Sequence, residues 1–400
     1  MFKCEAEMQK WLLSELKKVC GLGELILPVE LEGLIGEEHI VARNYKYCLD
    51  ALNYTYLISS DENISLKLGD ILRPDLLMYS SESEAIVIVE LKNIKEPTRQ
   101  AGTEVSAYAA EVRSYLPSLA GSDIINVVIS NDWPVLLRHY VFNEVMWHKK
   151  NILCLKPVFH EQCVRLEVVK PSLLVEGDIS FGLAEEHLGG FHICLYDMEL
   201  YSGGSRERLD LHVEQMKTAL RYIGGKGNSQ GNNGFAFLWK YFHPHSLAPY
   251  MITVVNVAPF LTLERFLKIT DVEPESVLGR LFEVTCEHMP TGHGASIGAQ
   301  QDCAVEFLEK FCRPAPESFT DWSNLKTLIA SYGELVSFQP WGFFESAYFD
   351  ALNEEYGMGR YDVAANDPVL GMKVLQSLID SNYQFINLSY YNYQPEEDLD

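Results

Sequence analysis

The segment that most constrains this chain runs from Ile71 to Lys92. Ile71 to Tyr79 is extended and apolar in character, with Pro74 suited to a strand start or an edge position. Ser80-Ser81-Glu82-Ser83-Glu84 is a polar turn, and Ala85-Ile-Val-Ile-Val-Glu-Leu-Lys92 is a β-branched run that closes on charge. Its unbroken hydrophobicity predicts a strand covered on both faces. A turn centred between Glu82 and Ser83 sets a register in which Ser80 faces Ala85, Leu77 faces Ile88 and Asp75 faces Glu90. Directly opposed residues share a face with Cβ atoms about 4.5–5.5 Å apart, and Lys92, two residues on, joins that face. A bulge would shift this pairing. One place then holds two carboxylates and an ammonium. Carboxylates side by side repel unless a cation sits between them, and hard oxygen ligands of this kind suit magnesium.

Pro74-Asp75, then Glu90-Leu91-Lys92 about fifteen residues later, resembles the PD-(D/E)xK nuclease superfamily, which includes restriction-type and RecB-type nucleases. The resemblance covers roughly the first 150 to 175 residues. It implies an α/β fold with a restriction-endonuclease-like α-β-β-β-α-β core, and the chain can be read in that order. Phe2 to Val19 has helical apolar spacing through Met8, Trp11, Leu12, Leu16 and Val19. Leu52 to Ser59 is strand-like, and the hairpin supplies two more strands. Thr98 to Tyr115 reads as a helix with Pro97 suited to its first turn, and Asp123 to Ser130 as the strand that follows.

The resemblance also implies a Mg²⁺-dependent deoxyribonuclease that hydrolyses phosphodiester bonds, with Mn²⁺ able to substitute. Asp75, Glu90 and the carbonyl of Leu91 would hold the metal, and Lys92 would orient or help deprotonate the attacking water. Members often add a glutamate from the first helix. Glu5 and Glu7 are the candidates, and Glu7 is favoured because it sits just before the apolar stripe; both also suit the helix dipole. RecB-like members carry Gln-x-x-x-Tyr on the next helix. Here Glu104-Val-Ser-Ala-Tyr108 has that spacing with Glu in place of Gln, and Gln100, one turn earlier on the same face, is the alternative for that role. Arg73, Lys95 and Arg99 lie close enough in sequence to contact phosphates, or else are solvated charges.

The net charge of −24 works against a free nucleic-acid binder, which normally shows a basic footprint. Residues 1–150 hold 22 acidic and 15 basic side chains, a balance of −7, and the other 250 hold 34 and 17, a balance of −17. The excess acid therefore lies mostly outside the nuclease-like region. Either lysines and arginines cluster at the cleft, where the local field matters, or a protein partner or second copy supplies the binding surface, or the acidic part occupies the cleft. Nine cysteines without paired spacing suit reduced thiols in a cytoplasm. The N-terminus does not read as a signal peptide, and the apolar run near Pro249 to Leu263, broken by Asn256 and Pro259, is too short to span a bilayer.

Trp133 to Lys150 reads as a further helix and Cys154 to Lys170 as one or two strands. Pro-Ser and Gly-Gly punctuation between Pro171 and Gly190 marks a boundary, giving a nuclease-like domain at 1–175 and an acidic α/β or α+β domain at 190–400 with a regulatory, sensing or partner-binding role. In the latter, His192 to Tyr201 reads as a strand, Glu207 to Ile223 as a helix, Gly224 to Gly234 as a flexible exposed loop, the next segment as a helix and Tyr250 to Phe260 as a strand. Later segments read as mostly helical and aromatic-rich. The glycine-rich segment lacks the order of a P-loop. Cys286, His288 and His293, with Cys303 and Cys312 beyond, match no familiar zinc spacing, and no Gly-x-Ser-x-Gly elbow occurs. A nuclease joined to an unfamiliar second domain looks like a prokaryotic defence effector, by fold-level analogy. The competing expectation is a non-catalytic nuclease-fold interaction module within a larger complex.

Overall fold

Residues Met1–Gly177 and Asp178–Asp400 form two units, each built on its own sheet. The computed structural model describes residues 2–34, 36–67, 69–93, 100–161, 163–175, 181–198, 206–243, 245–257, 273–288, 294–317, 319–380 and 384–385. Together the units make a mixed α/β protein.

The first unit runs α1 (Glu5–Leu16), α2 (Gly36–Asp50), β1 (Thr55–Ser60), β2 (Leu76–Ser80), β3 (Ala85–Lys92), α3 (Gln100–Tyr115), β4 (Ile124–Ser130), α4 (Val135–Met146), β5 (Asn151–His160), β6 (Cys163–Val168) and the single turn α5 (Pro171–Leu174). Its six strands lie in chain order. β3–β4 and β4–β5 are parallel, and the pairs at either end are antiparallel. Every residue of β3 is buried, as befits an interior strand, antiparallel to β2 and parallel to β4, with both faces covered. Ile86 and Ile88 of β3 pack against Tyr108 and Val112 of α3. Helix α2, for which the sequence carried no expectation, buries Val41, Tyr45 and Cys48 at helical spacing. Edge strand β1 leaves Tyr56, Leu57 and Ile58 exposed and bulges between Leu57 and Ser59.

The second unit contains β7 (Phe181–Gly182), β8 (Leu188–Asp197), α6 (Val213–Gln230), β9 (Gly234–Tyr241), β10 (Tyr250–Val257), α7 (Val277–His288), α8 (Gly294–Leu308), β11 (Cys312–Pro316), β12 (Thr320–Asp321), α9 (Trp322–Tyr332), β13 (Gly333–Trp341), α10 (Phe343–Gly357), α11 (Pro368–Asp380) and β14 (Gln384–Phe385). The main sheet, in the order β11-β8-β10-β9-β13, is antiparallel throughout, and β12 also pairs with β8. Both faces are apolar and covered. Phe235, Phe237 and Trp239 alternate along β9 into a core with residues of α9, α10 and α11. Ala236 and Leu238 point the other way, into a core with α6 and α8. This unit is therefore α+β, with its sheet between two helical layers.

Two expectations are corrected here. Gly224 to Gln230 is not an exposed loop but the last two turns of α6. Its glycines are packing residues: a Cβ on Gly227 would stand 2.5 Å from Trp341 and 2.6 Å from Gln300, and one on Gly224 would stand 2.8 Å from Gln339. The helix stops at Gly231, which caps it in the left-handed region at φ 67°. The segment after it, read as a helix, is strand β9, because its aromatics repeat every second residue. Residues 258–260 of the expected strand and the acidic tail fall outside the described residues. Among the described residues, no helix is long and apolar enough to cross a membrane, and none of the described cysteines is disulfide-bonded.

Candidate active site

The hairpin pairs Ser80 with Ala85, Leu77 with Ile88 and Leu76 with Val89. Asp75 directly precedes β2, so the same register sets it beside Glu90. Its Oδ2 accepts a hydrogen bond from the Leu91 amide at 2.7 Å, which ties the carboxylate to β3, and Gln9 of α1 donates to its carbonyl at 3.0 Å. Glu90 and Lys92 are 3 % and 7 % exposed, unusual burial for two formal charges. Lys92 Nζ lies 2.6 Å from Glu90 Oε1 and 2.8 Å from Glu104 Oε2 of α3. Glu90 Oε2 is buried and has no hydrogen-bond partner among the described residues.

The electrostatics follow from that burial. Desolvation pushes the Asp75 carboxyl up to about 6, against the opposing pull of the Leu91 hydrogen bond and of Lys92. Burial, then the neighbouring Asp75, pushes Glu90 up further, to about 8, although Lys92 touches it. Burial draws Lys92 down, but Glu90 and Glu104 outweigh this and hold the ammonium well above its ordinary value. Tyr108, one turn beyond Glu104, is also driven well above the usual phenol range by burial and then by Glu90. Burial and mutual proximity thus hold both carboxyls at raised values even with Lys92 in contact, whereas the lysine and the phenol keep their protons.

The residues expected to gather here are placed unevenly. Asp75, Glu90, Lys92, Glu104 and Tyr108 are brought together, with the Leu91 amide engaged by Asp75. Glu7 is not: its side chain accepts from the Lys3 amide at 2.6 Å in an exposed N-terminal turn. Glu5 takes the inward position, accepting from the Asn93 amide at 3.2 Å and raising Asp75 through its charge. The sequence signal was available, because Glu5 lies at i−3 and i−7 from Met8 and Leu12, the buried stripe of α1. Gln100 opens α3, but its side chain, with Lys95 and Arg99, lies outside the described residues, as do the side chains of Cys286, His288 and His293. Arg73 is exposed. Sequence reading also missed Asn93 and Asn131, whose side chains bond to each other at the ends of β3 and β4.

Among the described residues, no three His, Cys, Asp or Glu side chains stand close enough to cage a metal ion. The oxygen pair of Asp75 and Glu90, with one orphaned buried oxygen, nevertheless fits magnesium, which keeps several waters and is commonly bound through only one or two carboxylates. A cavity of about 420 Å³ in the second unit, lined by Arg221, Tyr222, Lys226 and Cys303, contains none of these residues. No protein-family model, curated protein or solved structure matches this chain.

Proposed function

We propose that this chain is a metal-dependent nuclease that hydrolyses phosphodiester bonds, DNA in preference to RNA, through Asp75, Glu90 and Lys92 of a PD-(D/E)xK-like first unit. The observation that carries the reading is the pairing of half-buried Asp75 with buried Glu90, both carboxyls raised and one oxygen unpartnered, with a protonated lysine against it. Mg²⁺, or Mn²⁺ in its place, supplies charge neutralisation and a bound water of lowered pKa when held there.

The chain's own groups have separable tasks. Asp75 and Glu90 provide the anionic oxygens, and the Leu91 amide fixes the direction of Asp75. Lys92, kept as an ammonium, orients a water and stabilises negative charge on phosphate; its raised value speaks against a role as base. Glu104 fixes where that ammonium points. Tyr108, kept protonated, remains a donor beside them. The second, acidic unit takes a regulatory, sensing or recruiting part, as in a defence-type effector.

A second reading, a non-catalytic interaction module, draws support from edge strand β1, which exposes Tyr56 at 61 %, Ile58 at 53 % and Leu57 at 45 %. Plasmid, linear and single-stranded substrates, each with Mg²⁺, with Mn²⁺ and with chelator, separate the two. The nuclease reading expects metal-dependent cleavage that disappears in Asp75→Ala, Glu90→Ala and Lys92→Ala proteins that still fold. Absence of cleavage on every substrate refutes it and leaves the module.

A further inference from the structure

We propose that the cavity beyond the ends of β4 and β5, lined by Asn131, Trp133, Lys156 and Lys170, binds a backbone phosphate of the polynucleotide beside the one attacked at Lys92. The inference rests on the nuclease reading for its substrate class, and on independent geometry for its place.

The cavity measures about 440 Å³. Register connects it to the site. Lys92 of β3 pairs with Ser130 of β4, and Ile129 pairs with Leu155 of β5. One further step along that parallel ladder sets Ser130 beside Lys156, so Lys92, Ser130 and Lys156 stand in one row and their side chains leave the same face. Two strand spacings separate the lysines, about 10 Å, a gap that a few linked nucleotides span. The row lies at the carboxyl ends of β3 and β4, where open α/β sheets receive ligands. Asn131 joins the two regions directly. Its amide donates to the Lys92 carbonyl at 3.3 Å and its side chain donates to Asn93, which is itself held by Glu5.

The lining also selects the chemistry. Trp133 lines the cavity, and its indole N–H, shielded from solvent, has no acceptor among the described residues. An indole N–H can only donate, so a ligand that reaches it, once the ring turns the buried N–H toward the cavity, must bring an acceptor. Lys156 and Lys170 add two ammonium groups. Asp132 and Glu167 balance them formally; the Asp132 side chain is exposed to solvent, which screens it, and Glu167 is the cross-strand neighbour of Lys156. In a chain of net charge −24, a locally neutral cavity with an orphaned donor and two lysines is a favourable place for an anion. A phosphodiester offers both the charge and the acceptor oxygens.

The test measures binding of a fluorescein-labelled oligodeoxythymidylate to the full chain in chelator, by anisotropy across a salt series. The proteins are wild type, Lys156→Ala/Lys170→Ala and Trp133→Phe, and thermal denaturation verifies that each is folded. The expected result is weaker binding in the double variant, with a salt dependence flattened by about 0.7 per lysine removed, and a loss of several-fold for Trp133→Phe. Unchanged affinity and slope in the folded variants overturn the inference, as does absence of wild-type binding at low salt. The nuclease reading is scored separately, by cleavage with Mg²⁺ or Mn²⁺. Cleavage lost in Lys92→Ala, together with an unaltered slope in the double variant, sinks the cavity assignment alone. Binding lost in the double variant, with no cleavage by wild type, sinks the nuclease reading and upholds the cavity as a phosphate-backbone site.

Discussion

Replacing Asp75 by Asn should make the metal-free protein more stable, not less. Unfolded, this carboxyl titrates near 3.8, and folded it is raised to about 6 by burial. A raised folded value means that the native state holds the proton more tightly. The stability it provides is therefore fully present below the unfolded value and is lost as pH rises through about 6. The shift of roughly two units corresponds to about 3 kcal/mol at full ionisation, an upper bound because the group is only partly buried. Asparagine carries no such penalty. Its carbonyl can still accept from the Leu91 amide, and its neutral amide is relieved of the repulsion that Glu5 and Glu104 exert on the carboxylate. The net gain should be about 1–3 kcal/mol near pH 8, which in a unit of this size moves the midpoint by about 2–4 °C per kcal/mol. Scanning calorimetry in chelator, from about pH 4 to pH 8, provides the measurement. Asp75→Asn should raise one transition, assigning it to the first unit, with a gain that shrinks to nothing at the acid end. A variant less stable than wild type at the alkaline end, or a pH-independent difference, refutes the electrostatic account of the site.

Other outcomes follow from the same structure. Added Mg²⁺ should raise that transition, by about 2.7 kcal/mol at a hundredfold excess over Kd, and Glu90→Gln should abolish the rise; a shift surviving both Glu90→Gln and Asp75→Asn places the metal elsewhere. Lys92→Met should cost about 3 kcal/mol above pH 8, where Glu90 is ionised and is left without a cation, and urea melts should show the deficit fading as pH falls through about 8 and Glu90 takes up a proton. Gly227→Ala should destabilise the second unit by about 1–3 kcal/mol, against the near-neutral effect expected of an exposed loop, and chemical denaturation decides between them. Acidification should move the two units oppositely. His192, buried against Thr253 and Trp239, is lowered to about 4 by burial, so its contribution is lost as pH falls below about 6.5, while the first unit gains as Asp75 protonates. Two calorimetric transitions shifting in the same direction would contradict this.

How far the sequence carried the structure depended on whether local pattern or tertiary packing set each element. The β3 run was legible because burial on both faces leaves nothing but apolar residues until Glu90, and the polar turn at Ser81–Glu84 fixed the hairpin register. Asp75, Glu90 and Lys92 could thus be placed together from period and turn length alone. Glu5 was misjudged against Glu7 because distance to the apolar stripe was weighed in sequence and not around the helix. The glycines of α6 were read for backbone freedom, when their purpose is to let Gln339, Trp341 and Gln300 approach the helix; nothing within the segment announces side chains arriving more than seventy residues later. Phe235, Phe237 and Trp239 did carry a two-residue period, but the apolar residues between them, needed for the opposite core, masked it. Trp133, Lys156 and Lys170 have no local signature, since only the parallel ladder brings Lys156 into line with Lys92 and only the fold gathers the other two about it.

The contact of Lys92 with two glutamates has a consequence for how the protein would respond to its environment. An internal counter-ion already offsets the acids, so a chelated sample should persist as a well-ordered resting form instead of unravelling as zinc-dependent modules do. On the proposed reading, an arriving divalent ion competes with a tethered ammonium. Responsiveness to metal is then tuned by the grip of Glu104 on that lysine, a setting that a single helix substitution can adjust without touching a ligand.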